Sequence, residues 1–413
     1  MKLIIFISLL TIAFYSNISS AEVLLVGPAE QYQSIKAALR ACHKGDTLLI
    51  RPGYYRERNI VIDKTVTLTG IDYPVVDGEN EGEVFTIKAD SVTIQGLQIQ
   101  NVGTDYLKDE AGINIVNSAH CRIINNRLYN TFFGVYLQKS KNCLVKDNQI
   151  KGEAEAEISS GNAVHSWYCQ NIKIQDNVLS HHRDGIYLEF VDQAEIIGNQ
   201  SVDNLRYGLH FMFSNHNSYF NNTFSHNGAG VAVMFSKEIE MRSNTFSGNW
   251  GPAAYGLLLK EIYDSEITGN LFTGNTTGIY AEGATRCTIR GNQFKSNGWA
   301  MKMLGSSLEN QIRQNNFIAN TFDLSTNSSR NSNIYINNYW SEYNGYDLDQ
   351  DGYGDVPYRP VDLFSYVVNR VSPSIILLRS LLVDLINFAE KVTPALTPES
   401  LTDPQPLMKP IRS

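Results

Sequence analysis

The chain has 413 residues, 43% of them hydrophobic and 18% charged, with a formal net charge of −8 at pH 7. An acidic balance of this size argues against nucleic-acid binding and is compatible with a cation as partner. Five cysteines in 413 residues do not suggest a disulfide scaffold.

The N-terminal residues have the pattern of an export signal. Met-Lys is followed by an uncharged apolar run, residues 3–15, and then by Ser19 and Ala21 at the positions that precede a cleavage site. This pattern predicts a cleaved signal peptide over residues 1–21. An uncleaved anchor is the alternative, but the apolar run is short for a membrane span.

Residues 22–338 are predicted to form a solenoid that starts with an irregular entry. The amphipathic run 33–42 predicts a short helix, with Ile35, Leu39 and Cys42 on one side, that shields the open end of the first coil. Short apolar runs predict the strands that follow, at 48–50, 60–62, 66–69, 84–87, 92–94 and 97–99.

The stretch 112–317 repeats one pattern nine times. Each copy has a glycine, an apolar-x-apolar triplet and, in most copies fourteen residues later, an asparagine followed by a large apolar residue. Alanine replaces the glycine in two copies, at Ala163 and Ala300. The asparagines recur every 22–29 residues at 126, 148, 177, 199, 222, 244, 270 and 292, and a second set stands at 204, 227, 249, 275 and 297.

Strand-like runs repeated at this period predict an all-β fold, a right-handed parallel β-helix of the pectin-lyase-like type. We expect a capping helix at its N-terminal end and an amphipathic helix at its C-terminal end. Cys121, Cys143 and Cys287 occupy the ninth place after their glycines. That place points inward, which indicates small core residues. Cys121 and Cys143 lie in adjacent coils, where a disulfide is the alternative to two free core thiols.

Outward positions of the coils carry candidate metal ligands. The second and fourth residues after each glycine point outward, because side chains alternate along a strand. Stacking therefore brings five side chains to one exterior face: His165, Glu189, His210, Met212 and Met234. Thioether and imidazole ligands together favour copper. The alternative is that the methionines pack on the aromatic column of Phe190, Phe213 and Phe235.

Residues 339–360 form an aromatic, acidic, glycine-rich segment. Asp347, Asp349, Asp351 and Asp355 match the early part of a calcium-binding loop. Tyr358 stands where such loops have a bidentate glutamate, so a plain acidic turn is the alternative.

Residues 361–413 contain a helix and a Pro-rich end. The run 374–392 predicts a helix whose apolar face includes Ile375, Leu378, Leu382 and Leu385. That face either covers the last coil or docks on a partner or a membrane surface. Charged residues interrupt the run, which argues against a membrane span. The end, 394–413, is expected to be extended or mobile.

A carbohydrate-active enzyme, of the uronate lyase, hydrolase or epimerase type, is the competing function. It would need acidic or basic groups across one groove. The best candidates are His181, His182, Arg183 and Asp184, with Glu189 on the next strand. Paired aspartates in adjacent coils and an Asp-Pro-His-Asp motif are both missing from the sequence. A pure binding or structural module is the third class of function.

Four segments of the chain resemble a known family. They are the N-terminal segment YQSIKAALRACHKGDTLLIRPGYYRERNIVIDKTVTLTG, the coils DGIYLEF and YGLHFMFSNHN, and the C-terminal segment NNYWSEYNGYDLDQDGYGDVPYRP. With them, the chain resembles the periplasmic accessory proteins of nitrous oxide reductase maturation. The N-terminal segment is shared with many pectin-lyase-like β-helices. The coil YGLHFMFSNHN, the C-terminal segment and the later SPSIILL run are more specific to the family.

The resemblance implies a periplasmic copper-handling protein without enzymatic activity. It implies three partners: an ABC-type ATPase and permease complex in the inner membrane, a copper donor protein, and the reductase with its copper–sulfide centre. On this interpretation the late helix becomes a docking element for the permease and holds the protein at the membrane. The copper ligands themselves are inferred from the stacking pattern, because the resemblance supplies no ligand set.

Overall fold

The computed structural model describes residues 21–104, 108–328, 332–361, 363–392 and 401–412. The predicted signal peptide, except Ala21, and part of the Pro-rich end lie outside these ranges. Three parallel sheets, which we call A, B and C, run the length of a β-helix and confirm the predicted fold.

Sheet A has fourteen strands: Val23–Val26, Thr47–Ile50, Thr67–Gly70, Thr93–Gln95, Arg122–Ile124, Leu144–Lys146, Lys173–Gln175, Glu195–Ile197, Ser218–Phe220, Glu240–Arg242, Glu266–Thr268, Thr288–Arg290, Gln311–Arg313 and Ile334–Ile336.

Sheet B has thirteen strands: Tyr54–Arg56, Val75–Asp77, Gln98–Gln100, Arg127–Tyr129, Gln149–Lys151, Val178–Ser180, Gln200–Val202, Thr223–Ser225, Thr245–Ser247, Leu271–Thr273, Gln293–Lys295, Asn316–Ile318 and Tyr339–Trp340.

Sheet C has twelve strands, which include the longest of the fold: Ile60–Ile62, Phe85–Ile87, Ala111–Val116, Phe133–Gln138, Asn162–Trp167, Asp184–Glu189, Tyr207–Met212, Ala229–Lys237, Tyr255–Tyr263, Thr277–Glu282, Trp299–Met303 and Phe322–Ser325.

The core follows from the alternation of side chains along each strand. The first and third residues after each coil glycine are buried, as Ile186 and Leu188 show. Aromatic rings stack through the last coils, from Phe224 to Phe246 and on to Phe317 and Trp340, with centroid separations of 4.1–5.6 Å. Such stacked pairs contribute roughly 0.5–1.5 kcal/mol each beyond the burial of their area.

The predicted asparagine columns are continuous, one-directional hydrogen-bond ladders. In the main column, each buried Asn donates its Nδ2 to the Oδ1 of the Asn one coil later, for example Asn126 to Asn148 at 3.1 Å. The same Nδ2 also donates to a backbone carbonyl, Ile94 O at 3.0 Å. The main ladder ends on a carboxylate, because Asn338 donates to Asp403 at 3.1 Å. Every coil therefore satisfies buried polar groups of the coil before it.

The N-terminal end is covered as predicted. Helix α1, Ile35–Ala41, is capped by Ser34 and packs Ile35 and Leu39 into the core.

The C-terminal end differs from the prediction. Two helices, α2 at Leu363–Arg370 and α3 at Leu381–Val392, flank a 3-10 segment at Ser372–Leu377. The prediction of one continuous helix over 374–392 is wrong, because the chain breaks at Arg379, whose φ is +68°. Helix α2 was not predicted. Beyond α3, residues 401–412 form bends and isolated bridges, in which Leu407 pairs with Tyr339 and Tyr353.

Candidate functional site

Two outward columns of sheet C carry the candidate ligands in the predicted register. The second-place column runs through Tyr136, His165, Tyr187 and His210. The fourth-place column places Glu189 beside Met212, and Met212 beside Met234. The prediction that these residues stack on one outer face is confirmed.

The second-place column is a ring stack of alternating tyrosine and histidine, which we call the Tyr–His stack. Ring centroids of Tyr136 and His165 lie 4.7 Å apart, those of His165 and Tyr187 4.8 Å, and those of Tyr187 and His210 4.6 Å. Tyr187 thus separates the two imidazoles. A metal ion bonds to imidazole nitrogen at about 2.0–2.1 Å. The two histidines therefore do not share one ion, and His165 is not part of a site built on His210.

Both histidines are covered. His165 is 7% exposed and His210 is 3% exposed, so neither of these outward-facing residues is open to solvent. The ring of Phe133 lies 5.4 Å from that of His165, and the ring of Tyr207 lies 4.8 Å from that of His210.

Burial sets the charge of this stack. It lowers the pKa of His165 to about 3 and also lowers the pKa of His210, where the neighbouring Asp184 partly opposes it. Both imidazoles are therefore neutral at neutral pH, which is the form that binds metals. Their ring nitrogens have no hydrogen-bond partner among the described residues. The stack thus holds neutral imidazole nitrogens with free lone pairs.

A buried ion pair adjoins His210. Arg206 donates to Asp184 from Nε at 2.9 Å and from a terminal nitrogen at 2.5 Å. Burial opposes the ionisation of Asp184, but the bonds from Arg206 hold its pKa below the usual range. Asp184 Oδ2 lies 3.6 Å from His210 Nδ1, beyond hydrogen-bond distance. Sequence reasoning did not find the ion pair of Arg206 and Asp184, because the residue directly opposite Asp184 on the next strand is Tyr207.

The fourth-place column is half-buried and holds the two thioethers. Met212 and Met234 stand directly opposite each other on neighbouring strands, where Cα atoms lie about 4.8 Å apart. His210 lies two residues before Met212 on the same face, a step of about 6.7 Å. Unbranched methionine side chains can span these distances. We call His210, Met212 and Met234 the ligand set. Glu189 precedes it by one coil, and burial raises its pKa.

An aromatic stack borders the methionines, as the alternative interpretation required. The rings of Phe190, Phe213 and Phe235 lie 5.3 and 5.1 Å apart, and Tyr168 extends the stack at 4.6 Å. These rings are partly exposed, with their faces against each other and their edges outward. The methionines therefore lie between this stack and the second-place column, where they can pack and also reach an ion.

Three of the residues named for the enzyme alternative, His181, His182 and Asp184, have different surroundings. His182 is buried, with its ring near Thr131 Oγ1 at 3.2 Å and Ser180 O at 3.0 Å. His181 is exposed on a turn with φ of +57°, and Asp184 is held by Arg206.

Residues 43–160 and 154–348 match the family model described as periplasmic copper-binding protein (NosD). The chain belongs to the NosD family. Two curated relatives are both described as "Probable ABC transporter binding protein NosD". The protein from Pseudomonas aeruginosa is 27% identical, over 85% of this chain and 86% of its own. The one from Stutzerimonas stutzeri is 25% identical, over 97% and 95%.

Solved structures confirm the solenoid of this NosD-family chain. The catalytic unit of an α-1,3-glucanase from Streptomyces thermodiastaticus superimposes with a TM-score of 0.60 at 14% identity. The match covers 76% of this chain and 67% of that one. Identity this low shows the shared fold alone.

The acidic loop of this NosD-family chain brings three carboxylates together. Oxygens of Asp347, Asp349 and Asp351 lie within 4.8 Å of one another, the one such group of His, Cys, Asp or Glu found in the described ranges. Asp355 is not in this group, and its Oδ2 accepts a hydrogen bond from Leu348 N at 2.7 Å. Calcium binding by this loop stays a prediction.

The two C-terminal helices cover the last strands of sheet C and leave an apolar face outside. Phe364, Val368 and Val383 pack on Trp299 and Phe322, with Leu378 against them. Leu378 is thus partly buried against its own chain, and its role in docking stays a prediction. The other three predicted docking residues are exposed, at 48% for Ile375, 53% for Leu382 and 57% for Leu385. Phe388, which was not predicted, extends this face. None of the helices in the described segments could reach across a bilayer.

Proposed function

We propose that this protein carries copper in the periplasm and hands it to nitrous oxide reductase while the copper–sulfide centre of that enzyme is built. It works with an ABC-type complex of an ATPase and a permease, and it is a carrier without enzymatic activity. The observation that supports this proposal is the in-register pair Met212 and Met234 beside the neutral imidazole of His210.

The ligand set suits copper by its chemistry. Two thioethers and one neutral imidazole are soft or borderline ligands, which favour Cu(I) over the hard divalent ions of the periplasm. Glu189 supplies an oxygen ligand beside Met212, which suits Cu(II). No ligand has to lose a proton when Cu(I) binds, because thioethers carry none and His210 is already neutral.

The position of the ligand set suits transfer. His210 is buried at the base, whereas Met212 and Met234 are half-buried and face outward. An accepting protein can therefore replace the thioethers one at a time before the imidazole of His210 dissociates from the copper ion. A fully enclosed four-ligand cage would not allow this exchange.

The membrane complex docks on the exposed face of α3 and the preceding 3-10 segment. This face is apolar at Ile375, Leu382, Leu385 and Phe388, while the opposite side of the helices packs on the last coil. Two curated relatives carry the description of an ABC transporter binding protein. Docking at this end leaves the ligand set, several coils away along sheet C, open to the copper donor and the reductase.

The copper content of the reductase tests the function. In a strain that lacks this protein, we expect the purified reductase to be depleted of copper at the copper–sulfide centre, and the wild-type protein to restore it. Full copper loading in the deletion strain would contradict the proposal. Turnover of a uronate polymer by the purified protein would favour the enzyme class instead.

The docking face is tested by Leu382→Ser/Leu385→Ser. The double variant should lose association with the ATPase and permease complex in detergent extracts, while its melting temperature stays close to that of the wild type, since both side chains are exposed. Ile334→Ser, at an exposed apolar residue of sheet A, is the matched control and should keep binding. Retention of the complex by the double variant would rule out this face.

A further inference from the structure

Two of the five cysteines stand opposite each other inside the β-helix. Arg122 pairs with Leu144 in sheet A, so Cys121 and Cys143, one residue earlier in each coil, are also opposite. Their side chains have the same orientation. Each thiol donates to the carbonyl two residues before it, Ala119 O at 3.7 Å and Lys141 O at 3.4 Å. The two thiols are close enough to shift each other's pKa: Cys143 lowers that of Cys121, and Cys121 raises that of Cys143.

The spacing of the two strands allows a covalent bond. Stacked strands hold opposite Cα atoms about 4.8 Å apart. Disulfides are found at Cα separations of about 4.4–6.8 Å and require Cβ atoms about 3.5–4.5 Å apart. The bond therefore needs the two Cβ atoms to approach by a few tenths of an ångström and no change in strand register.

The other three cysteines lack such a partner position. Ile172 occupies the corresponding place in the third coil, because Leu144 pairs with Lys173. Cys169 lies three residues earlier, and its thiol donates to Leu137 O at 3.4 Å. Cys42 and Cys287 lie in distant coils, where their thiols donate to Leu39 O and Thr285 O.

We propose that Cys121 and Cys143 form a disulfide in the mature protein. The NosD family is periplasmic, and the periplasm oxidises thiols that are in contact. The oxidant is a disulfide-bearing protein. One cysteine thiolate attacks that disulfide and releases the first thiol of the oxidant. The second cysteine then attacks the mixed disulfide and releases the other thiol. Two thiols of the chain are oxidised and one disulfide of the oxidant is reduced, so electrons and protons balance.

The contact also favours the first step. The neighbouring Cys143 thiol lowers the pKa of Cys121, although burial opposes this effect. Both thiols are buried in the finished fold. The exchange therefore takes place before the two coils have packed on the rest of the helix. The bond then joins the coil of Cys121 to the coil of Cys143, which carries Tyr136 at the N-terminal end of the Tyr–His stack, and it does not depend on copper.

Peptide mapping of the copper-free wild-type protein from the periplasm tests the bond. Free thiols are alkylated in denaturant before trypsin is added. We expect tryptic peptides 109–122 and 142–146 to appear as one linked species that separates on reduction. The peptides that hold Cys42, Cys169 and Cys287 should be alkylated. Five alkylated cysteines would overturn the proposal, and this measurement needs no variant to fold.

Two variants and one copper-loaded sample serve as controls. Cys143→Ser should abolish the linked species and expose Cys121 to alkylation, whereas Cys287→Ser should leave the linked species unchanged. In the copper-loaded sample, protection of Cys121 and Cys143 from alkylation could come from bound copper. If a copper chelator removes that protection and reduction does not, the proposal is overturned, because the two thiolates then bind copper and form no disulfide.

Discussion

Replacing Met212 and Met234 together by leucine should abolish tight copper binding without unfolding the protein. Each lost thioether is expected to weaken binding by at least about tenfold, which corresponds to about 1.4 kcal/mol, and the pair by about a hundredfold or more. Leucine conserves side-chain volume, and such replacements usually cost under about 1.5 kcal/mol of stability. The measurement is a titration with Cu(I) and with Cu(II) in competition with a chelator of known affinity.

Matched variants separate the ligand set from the rest of sheet C. Met241→Leu changes a methionine of the buried core and should leave copper affinity as in the wild type. His165→Gln should do the same, because the Tyr187 ring separates His165 from His210. His210→Gln should weaken binding. Copper affinity that is unchanged in the double leucine variant would remove this site from the molecule.

Replacing Asp403 by alanine should destabilise the C-terminal end of the β-helix by about 3 kcal/mol. Its carboxylate accepts hydrogen bonds from Asn338 N at 2.9 Å, Asn338 Nδ2 at 3.1 Å and Trp340 Nε1 at 3.1 Å, and it also accepts from Asn337 N. Leaving one buried donor without an acceptor costs about 1–3 kcal/mol of stability. The variant leaves several such donors, but water that enters the site satisfies some of them, so the expected loss is less than the sum of their costs. Thermal unfolding and protease resistance of residues 401–412 measure the effect.

Two other variants control for the loss of charge. Asp403→Asn keeps one side-chain oxygen in the ladder, so we expect about half the loss in the free energy of unfolding. Asp264→Ala removes an exposed carboxylate that is paired with Arg286, and such surface pairs contribute about 0–1 kcal/mol. If Asp403→Ala were no less stable than Asp264→Ala, the carboxylate would not anchor the end of the ladder.

The repeat made most of the fold predictable. Because Gly208 and Gly230 mark equivalent points of two coils, counting from them gives the partner of each residue, and Met212 stands opposite Met234 as counted. Alternation then fixes which side chains face outward. The exposure of a side chain could not be predicted by this counting. His165 is covered by Phe133 and His210 by Tyr207, and these two covering rings come from neighbouring parts of the same face.

The C-terminal end shows where the repeat stops giving information. The break at Arg379 depends on how α2 and α3 pack on Trp299 and Phe322, and no local turn signal marks it. Asp403 likewise has no sequence pattern around it, because its ladder partners lie 63–66 residues earlier. Contacts between an irregular segment and a regular one are thus the part that sequence reasoning missed.

The direction of the asparagine ladder has a consequence for biosynthesis. Every coil offers an amide donor toward the coil that is made after it, so a growing chain exposes an unsatisfied end until the next segment emerges. The ladder can end only at a side chain that accepts hydrogen bonds and donates none. The carboxylate of Asp403 is such a side chain. A chain truncated before Asp403 would therefore display its open end to periplasmic proteases, and quality control could distinguish finished molecules from unfinished ones without any dedicated tag.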